Sequence, residues 1–339
     1  MLLLRLLFLA IVLTLASAWG KVGHEMVANL AYKRLDVNAQ EAIQQILGNN
    51  LTTSLASVAD WADKVRYTKE YHWTIPLHFV DVQDDVIDGG CPAHDDSGEN
   101  NNSTPSLCSF NYPRDCEKNM CVAGAIVNYS MHINDEWEKP FFQGNDYNNG
   151  NNWRIKESLM FVTHFVGDIH QPLHCARKSD KGGNTIHVTF EVTNKSLRGH
   201  SPMNHEWTLH SVWDDGIINQ ALMDLYSESR ERFEDDVANL IQEAEMTGDI
   251  KAWLACSDGR NKTCTSQWAE ESLEDAMTWA YRNMDGSEVV EGSVLSKDYY
   301  ETRLAVVRRR IATAGVRLAS TLQVALFATS SLLREIAFE

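Results

Sequence analysis

A mainly α-helical single domain, with one small patch of β-structure and a disulfide-rich loop, is what this 339-residue chain predicts. Most of its apolar residues recur at helical spacing, and only one stretch alternates convincingly like a strand. The length left after an N-terminal leader suits one large domain, and no internal repeat is visible.

Taken in order, Val22 to Leu35 places Val22, Met26, Val27, Leu30, Ala31 and Leu35 on one helical face. Asp36 then reads as an N-cap for a helix from Ala39 to Leu47, closed by Gly48-Asn-Asn. Helices are also expected over Leu55 to Val65, Val122 to His132, Trp153 to Ile169 and Leu209 to Leu225. Further ones are expected over Glu231 to Glu245, Ser266 to Asn283 and Lys297 to Arg334. Thr185 to Val192 alternates as a strand, half of a small hairpin. The segment 82–120 is polar and Cys-rich at its centre and reads as a surface insertion within the domain.

Residues 1–18 look like a signal peptide. Arg5 precedes an apolar run from Leu6 to Leu15, and Ala16-Ser-Ala18 offers a cleavage site before Trp19. A membrane anchor is the competing reading, but the run is short for a span of about 20 residues. The expectation is a mature domain over 19–339, secreted or delivered to an endomembrane, lysosome-like compartment. Sequons at Asn50, Asn101, Asn102, Asn128, Asn194 and Asn261 fit that route, with one glycan expected across the adjacent Asn101 and Asn102, assigned to Asn102. The seven cysteines fit it too. Cys91, Cys108, Cys116 and Cys121 crowd one loop, and Cys256 and Cys264 bracket another. None has C-x-x-C spacing, so disulfides are favoured over a zinc ribbon. Cys116 with Cys121 is the preferred pair, and Cys175 is the expected free thiol.

A net charge of −17 argues against affinity from a broad basic face. It leaves open a phosphate ester held by metal ions, whose charge the sum omits.

The chemistry concentrates in Phe161-Val-Thr-His-Phe-Val-Gly-Asp-Ile-His-Gln-Pro-Leu-His174. His164 and Asp168 lie one helical turn apart, and His210-Ser-Val-Trp-Asp214 repeats that spacing. One such pair is commonly a surface hydrogen bond or a satisfied core histidine. Two pairs among aromatic and aliphatic neighbours point to a cation, because burying imidazoles and carboxylates together is costly without compensation.

Further along come Trp19-Gly-Lys-Val-Gly-His24, Trp61-Ala-Asp63 with Arg66 three residues on, Leu77-His78-Phe79-Val-Asp81, and Gly182-Gly-Asn184. With Phe110-Asn-Tyr-Pro-Arg-Asp-Cys116 these cover nearly the whole mature chain. Together they closely resemble the zinc-dependent single-strand nuclease family of fungi, plants and trypanosomatids, within the phospholipase C/nuclease superfamily.

That resemblance implies a helical fold of the phospholipase C/single-strand-nuclease type holding three zinc ions. One would be bound by Asp63, His78, His164 and Asp168. A second would take the α-amino nitrogen and carbonyl of Trp19, His24 and the bridging Asp168. The third would have His174, His210 and Asp214. The implied reaction is hydrolysis of single-stranded RNA and DNA to 5′-phosphate products, with 3′-nucleotidase activity. Arg66 and Asn184 would contact the scissile phosphate beside Asp63. Phe79 would stack on a base whose edge Asp81 accepts from. Taken alone, Phe79 reads more readily as a core residue than as a base platform, an order the Leu77-His78-Phe79-Val-Asp81 motif reverses, and Arg66 reads equally as a surface ion pair. His72, His132, His187, His200 and His205 are assigned no role, and His170 at most a supporting one. Two departures bear on substrate preference: Thr208 precedes Leu209-His210, and the segment between Val192 and Trp207 is long. A zinc phospholipase C, or a non-catalytic metal-binding glycoprotein, is the alternative.

Overall fold

The computed structural model describes residues 19–48, 53–84, 109–137, 153–191, 207–256 and 264–328. The chain opens with α1 (Lys21–Arg34) and α2 (Val37–Leu47). The Asp36 carboxylate caps α2 by accepting from Ala39 N at 2.9 Å, and Gly48 ends it at a φ of 100°. A short 3₁₀ turn (Ala56–Val58), α3 (Trp61–Val65), a second 3₁₀ segment (His72–His78) and strand β1 (Val80–Val82) follow. Then come α4 (Tyr112–Asp115), α5 (Val122–Trp137) and α6 (Trp153–Asp168). A 3₁₀ turn (Pro172–His174) leads into β2 (Cys175–Arg177), and β3 (His187–Phe190) and β4 (Trp207–Thr208) lie beyond it. The remainder comprises α7 (Leu209–Ser211), a π-helical turn (Val212–Gly216), α8 (Ile217–Asp224), α9 (Arg230–Thr247) and α10 (Ile250–Leu254). Finally α11 (Cys264–Asp275), a second π-helical turn (Ala276–Ala280), β5 (Val294–Leu295) and α12 (Lys297–Phe327) complete the order.

Helix α12 is the spine. Its 31 residues span about 46 Å at the α-helical rise. It packs against α1, α5, α6, α8, α9 and α10. Gly315 lets α1 approach closely, since a Cβ there would sit 2.8 Å from Leu30 Cβ. Three arginines, Arg303, Arg310 and Arg317, are buried on this helix. Unpaired, each would be very costly. Arg317 forks onto Glu271 at 2.6 and 2.7 Å, and Arg310 donates to the same carboxylate at 3.2 Å and to the carbonyl of His170 at 3.1 Å. The segment just after Asp168 is thereby pinned to the spine.

The mainly helical expectation holds, with informative differences. Leu55 to Val65 is not one helix: it breaks at Ala59, whose carbonyl accepts from His164 Nδ1 at 2.7 Å. The helices expected at Leu209 to Leu225 and Ser266 to Asn283 each contain a π-helical turn, the first of which carries Asp214. The last helix ends at Phe327, and 329–339 lie outside the described residues. The strand expected over Thr185 to Val192 is confined to β3. It pairs antiparallel with β4, as half a hairpin should, and also parallel with β5. The parallel pair of β1 and β2 has no counterpart in the expectation, because three-residue strands leave no readable period.

Cys116–Cys121 and Cys256–Cys264 form disulfides and Cys175 is a buried free thiol; Cys91 and Cys108 lie outside the described residues. Segment 82–120 is anchored at both ends, by Val82 in β1 and by the buried Phe110 and Cys116. Asn128 is exposed on α5; the sequons at Asn50, Asn101, Asn102, Asn194 and Asn261 lie outside the described residues, as does the leader 1–18. Among the described residues no helix is long and apolar enough to cross a membrane.

Candidate metal centre

Helix α6 is the platform. Its last two turns present His164 and Asp168 on one buried face. Helix α1 brings His24 against them, with its imidazole stacked on His164 at a centroid distance of 3.9 Å. That approach needs Gly167, where a Cβ would lie 2.6 Å from His24 Nδ1. Alanine in a helix interior normally gains up to about 1 kcal/mol over glycine. Gly167→Ala is instead expected to displace His24 and lose metal. Zinc titration of this variant checks it: a full complement bound at unchanged affinity would refute the requirement.

The β1–β2 pair does the rest of the positioning. Its parallel register sets Val80 beside Cys175, so the histidines just before each strand, His78 and His174, become neighbours. His174 Nδ1 donates to the His78 carbonyl at 2.7 Å. Across the cleft, His210 Nδ1 donates to the Gly182 carbonyl at 2.6 Å.

Asp168 is the hub. Its Oδ1 lies 3.2 Å from His24 Nε2, and its Oδ2 lies 2.9 Å from His78 Nδ1 and 3.3 Å from His164 Nε2. Asp63 Oδ1 closes the group at 3.5 Å from His164 Nε2 and 3.7 Å from His78 Nδ1. Among the described residues, three sets place ligand atoms within 4.8 Å of one another: His24, His164 and Asp168; Asp63, His78 and His164; and His174, His210 and Asp214. All eight side chains expected as ligands fall in these sets. Trp19, expected to ligate through its backbone, is fully buried, and Gly20 N donates to the Asp214 carbonyl at 2.9 Å.

The donor set fits cations. A carbonyl only accepts, so the Nδ1 atoms of His164, His174 and His210 each carry the proton, and a neutral ring then leaves Nε2 as a bare lone pair. The Nε2 atoms of His174 and His210 face each other at 3.2 Å. A hydrogen bond between them would require one ring to be charged. Burial opposes that, lowering His174 and bringing His210 down to about 3. Two lone pairs and the Asp214 carboxylate, 3.4 Å from His210 Nε2, are reconciled by a shared cation. Burial and the adjacent Asp215 raise Asp214 well above the carboxylate range, so its anion also calls for a positive partner. In the other group, burial resists a charge on His164, yet Asp168 and Asp63 together raise it to about 10. Asp63 is correspondingly held below the carboxylate range, burial being overcome by the His164 charge. Burial brings His78 down to about 4. The pocket favours one positive charge among neutral imidazoles.

The cluster opens into a cleft of about 420 Å³ lined by Arg66, Phe79, Asp81, Asn184, His174 and His210. Phe79 is half-buried there, so the core reading of this ring gives way to a cleft wall. Arg66 is buried with Nη1 3.2 Å from Asp63 Oδ1, which excludes the surface ion pair. Asn184 turns its amide nitrogen to the Lys181 carbonyl at 2.8 Å.

Two features escaped the sequence reading. Gln171 donates to Asp214 Oδ1 at 2.6 Å while its own Oε1 accepts from Leu173 N at 2.6 Å, orienting a third-set carboxylate. Its place between Asp168 and His174 was the available signal. Tyr67 and Lys181 also line the cleft. His170 does not support the ligands directly: its Nε2 accepts from Arg317 at 3.0 Å and Nδ1 donates to Val166 at 2.7 Å. His187 pairs with Glu291 outside the cluster, and His200 and His205 lie outside the described residues.

Residues 19–326 match the family model described as S1/P1 Nuclease. The chain is 36% identical to Endonuclease 2 of Arabidopsis thaliana over 309 residues, covering 90% of this chain and 89% of that protein. It is 32% identical to Endonuclease 4 of the same plant over 325 residues, 94% of this chain and 92% of the relative. Nuclease S1 of Aspergillus oryzae is 30% identical over 313 residues, 91% of this chain and 92% of that nuclease. Motif, fold and donor geometry agree with these similarities: the chain belongs to the S1/P1 nuclease family.

Proposed function

We propose that the protein is a zinc-dependent phosphodiesterase that hydrolyses single-stranded RNA and DNA to 5′-phosphate products and removes 3′-phosphates from nucleotides. The observation that carries this reading is a cluster of three adjoining His/Asp sets, the third of which, through His174 and His210, lines a cleft that also holds an arginine, an aromatic ring and a half-buried carboxylate. The sets divide as Asp63, His78, His164 and Asp168; Asp168, His24 and the Trp19 backbone; and His174, His210 and Asp214. Nitrogen and carboxylate donors of this kind suit zinc. Zinc bound there would lower the pKa of the attacking water and offset charge on the phosphate and on the leaving 3′ oxygen.

The chain's own groups supply the remainder. Three carboxylates, Asp63, Asp168 and Asp214, do not balance three divalent cations, so the loaded site is electropositive and takes an anion. Arg66, held by Asp63, and the Asn184 amide face the nonbridging phosphate oxygens. Phe79 offers a π-face that any base can stack on, and Asp81 accepts from that base's edge. A base must leave its stack to lie against Phe79, which favours single strands over duplex.

Phe79→Ala is expected to remove a stacking platform and cost about 1–3 kcal/mol of oligonucleotide binding. That is roughly a five- to 150-fold rise in KM at little change in zinc content, read from steady-state kinetics on a single-stranded oligonucleotide. Metal analysis should find about three zinc ions per chain, and chelation should abolish activity until zinc is returned. The deciding comparison is hydrolysis of single-stranded DNA, 3′-AMP and phosphatidylcholine. Turnover of phosphatidylcholine alone would assign a phospholipase C, and a zinc-loaded protein inert on all three would assign a binding role. The domain 19–339 is proposed to reach a secretory or lysosome-like compartment after cleavage before Trp19. N-glycans are proposed at Asn50, Asn102, Asn128, Asn194 and Asn261; mass determination of the natural protein tests both.

A further inference from the structure

Lys181, Gly182 and Gly183 form a run of three left-handed residues, with φ of 55°, 62° and 78°. Left-handed runs are disfavoured, most of all at a residue with a side chain such as Lys181, and persist only where the surroundings enforce them. The enforcement is visible. Asp180 Oδ1 accepts from Gly183 N at 2.7 Å and from the Tyr281 hydroxyl at 2.8 Å. Tyr281 is buried at the end of the second π-helical turn, with the Arg177 guanidinium 4.5 Å from its ring centroid. Ser179, just before the turn, is held by Asp84 through its amide at 3.1 Å and its hydroxyl at 2.5 Å.

The locked turn contacts the third donor set. The Gly182 carbonyl takes the Nδ1 proton of His210, and the Gly183 carbonyl accepts from His210 N at 3.3 Å. A side chain at Gly182 is excluded because its Cβ would lie 2.1 Å from the Leu173 carbonyl oxygen. The same turn holds Asn184 at the cleft. We propose that Asp180 and Tyr281 are positioning residues, which lock this left-handed turn so that the Gly182 carbonyl fixes the tautomer and aim of His210. The inference rests on the reading that His174, His210 and Asp214 hold zinc.

The test is Tyr281→Phe, which keeps the packed ring and removes only the hydroxyl. In metal-free protein, nitrogen NMR of His210 should show a single Nδ1–H tautomer in the wild type and a mixture in the variant. In zinc titrations one of the three equivalents should lose about ten- to hundredfold in affinity while the other two are unchanged. An unchanged tautomer and isotherm would overturn the inference, as would equal weakening of all three equivalents, which marks a general loss of structure. Should Tyr281→Phe not fold, Asp180→Asn carries the same two readouts, with a smaller shift expected because its amide oxygen still accepts from Gly183. A wild type that binds no third equivalent would count against the metal reading, while the tautomer comparison would still decide the positioning role.

Discussion

Replacing Asp168 by asparagine is expected to release two of three zinc ions and lower kcat/KM on single-stranded DNA by at least about a thousandfold. In the proposed division of the sets Asp168 is the side chain that two zinc ions share, while His164, which lies within reach of both donor groups, would serve one. The Asp168 carboxylate oxygens face His24 on one side and His78 and His164 on the other, all within 3.3 Å and all buried. Asparagine keeps the shape but removes the charge and replaces one lone-pair donor by an N–H that points at a cation. Substituting a ligand at a shared position therefore disables both neighbours at once. Metal analysis of folded Asp168→Asn, with circular dichroism as the control for folding, reads the effect. Three tightly bound zinc ions in that variant would exclude Asp168 as the bridge.

The second large effect is expected from a single extra residue ahead of Trp19. An α-amine has a localised lone pair and can ligate, whereas the nitrogen of a peptide bond is delocalised into its carbonyl and cannot. Trp19 is fully buried, its Cβ lies where a side chain at Gly23 would collide at 2.7 Å, and Gly20 is tied to the backbone of Asp214. Protein carrying one additional N-terminal residue should bind one zinc fewer and lose at least about a hundredfold in activity, restored when an aminopeptidase removes the residue. Full activity with the extension in place would refute an N-terminal ligand. If the result holds, removal of the proposed leader before Trp19 would also be the activating step.

Of the eight clustered side chains, two pairs were legible in local spacing, whereas His24, Asp63 and His78 entered through the family resemblance. His164 with Asp168 and His210 with Asp214 share a helical face by spacing alone. Apolar spacing and capping residues such as Asp36 placed most helices within a few residues of their observed ends. The break at Ala59 was not legible, because it is stabilised by a hydrogen bond to His164 about a hundred residues away. Neither was the role of His170, whose imidazole is taken by Arg317 from the far end of the chain. Gln171 sat in full view between two ligands, but a glutamine's function depends on which carboxylate its amide meets.

Residue type and spacing by themselves determined a helical domain and the two His/Asp pairs, His164 with Asp168 and His210 with Asp214, that share a face. Tertiary structure alone decided how those pairs combine. The β1–β2 register brings His78 to His174, Gly167 admits His24, and carbonyls of Ala59, His78 and Gly182 select which imidazole nitrogen is bare. The reason is physical: helical periodicity fixes the direction of a side chain relative to its own axis. The orientation and protonation of a buried ring are set by hydrogen bonds from whatever element packs against it.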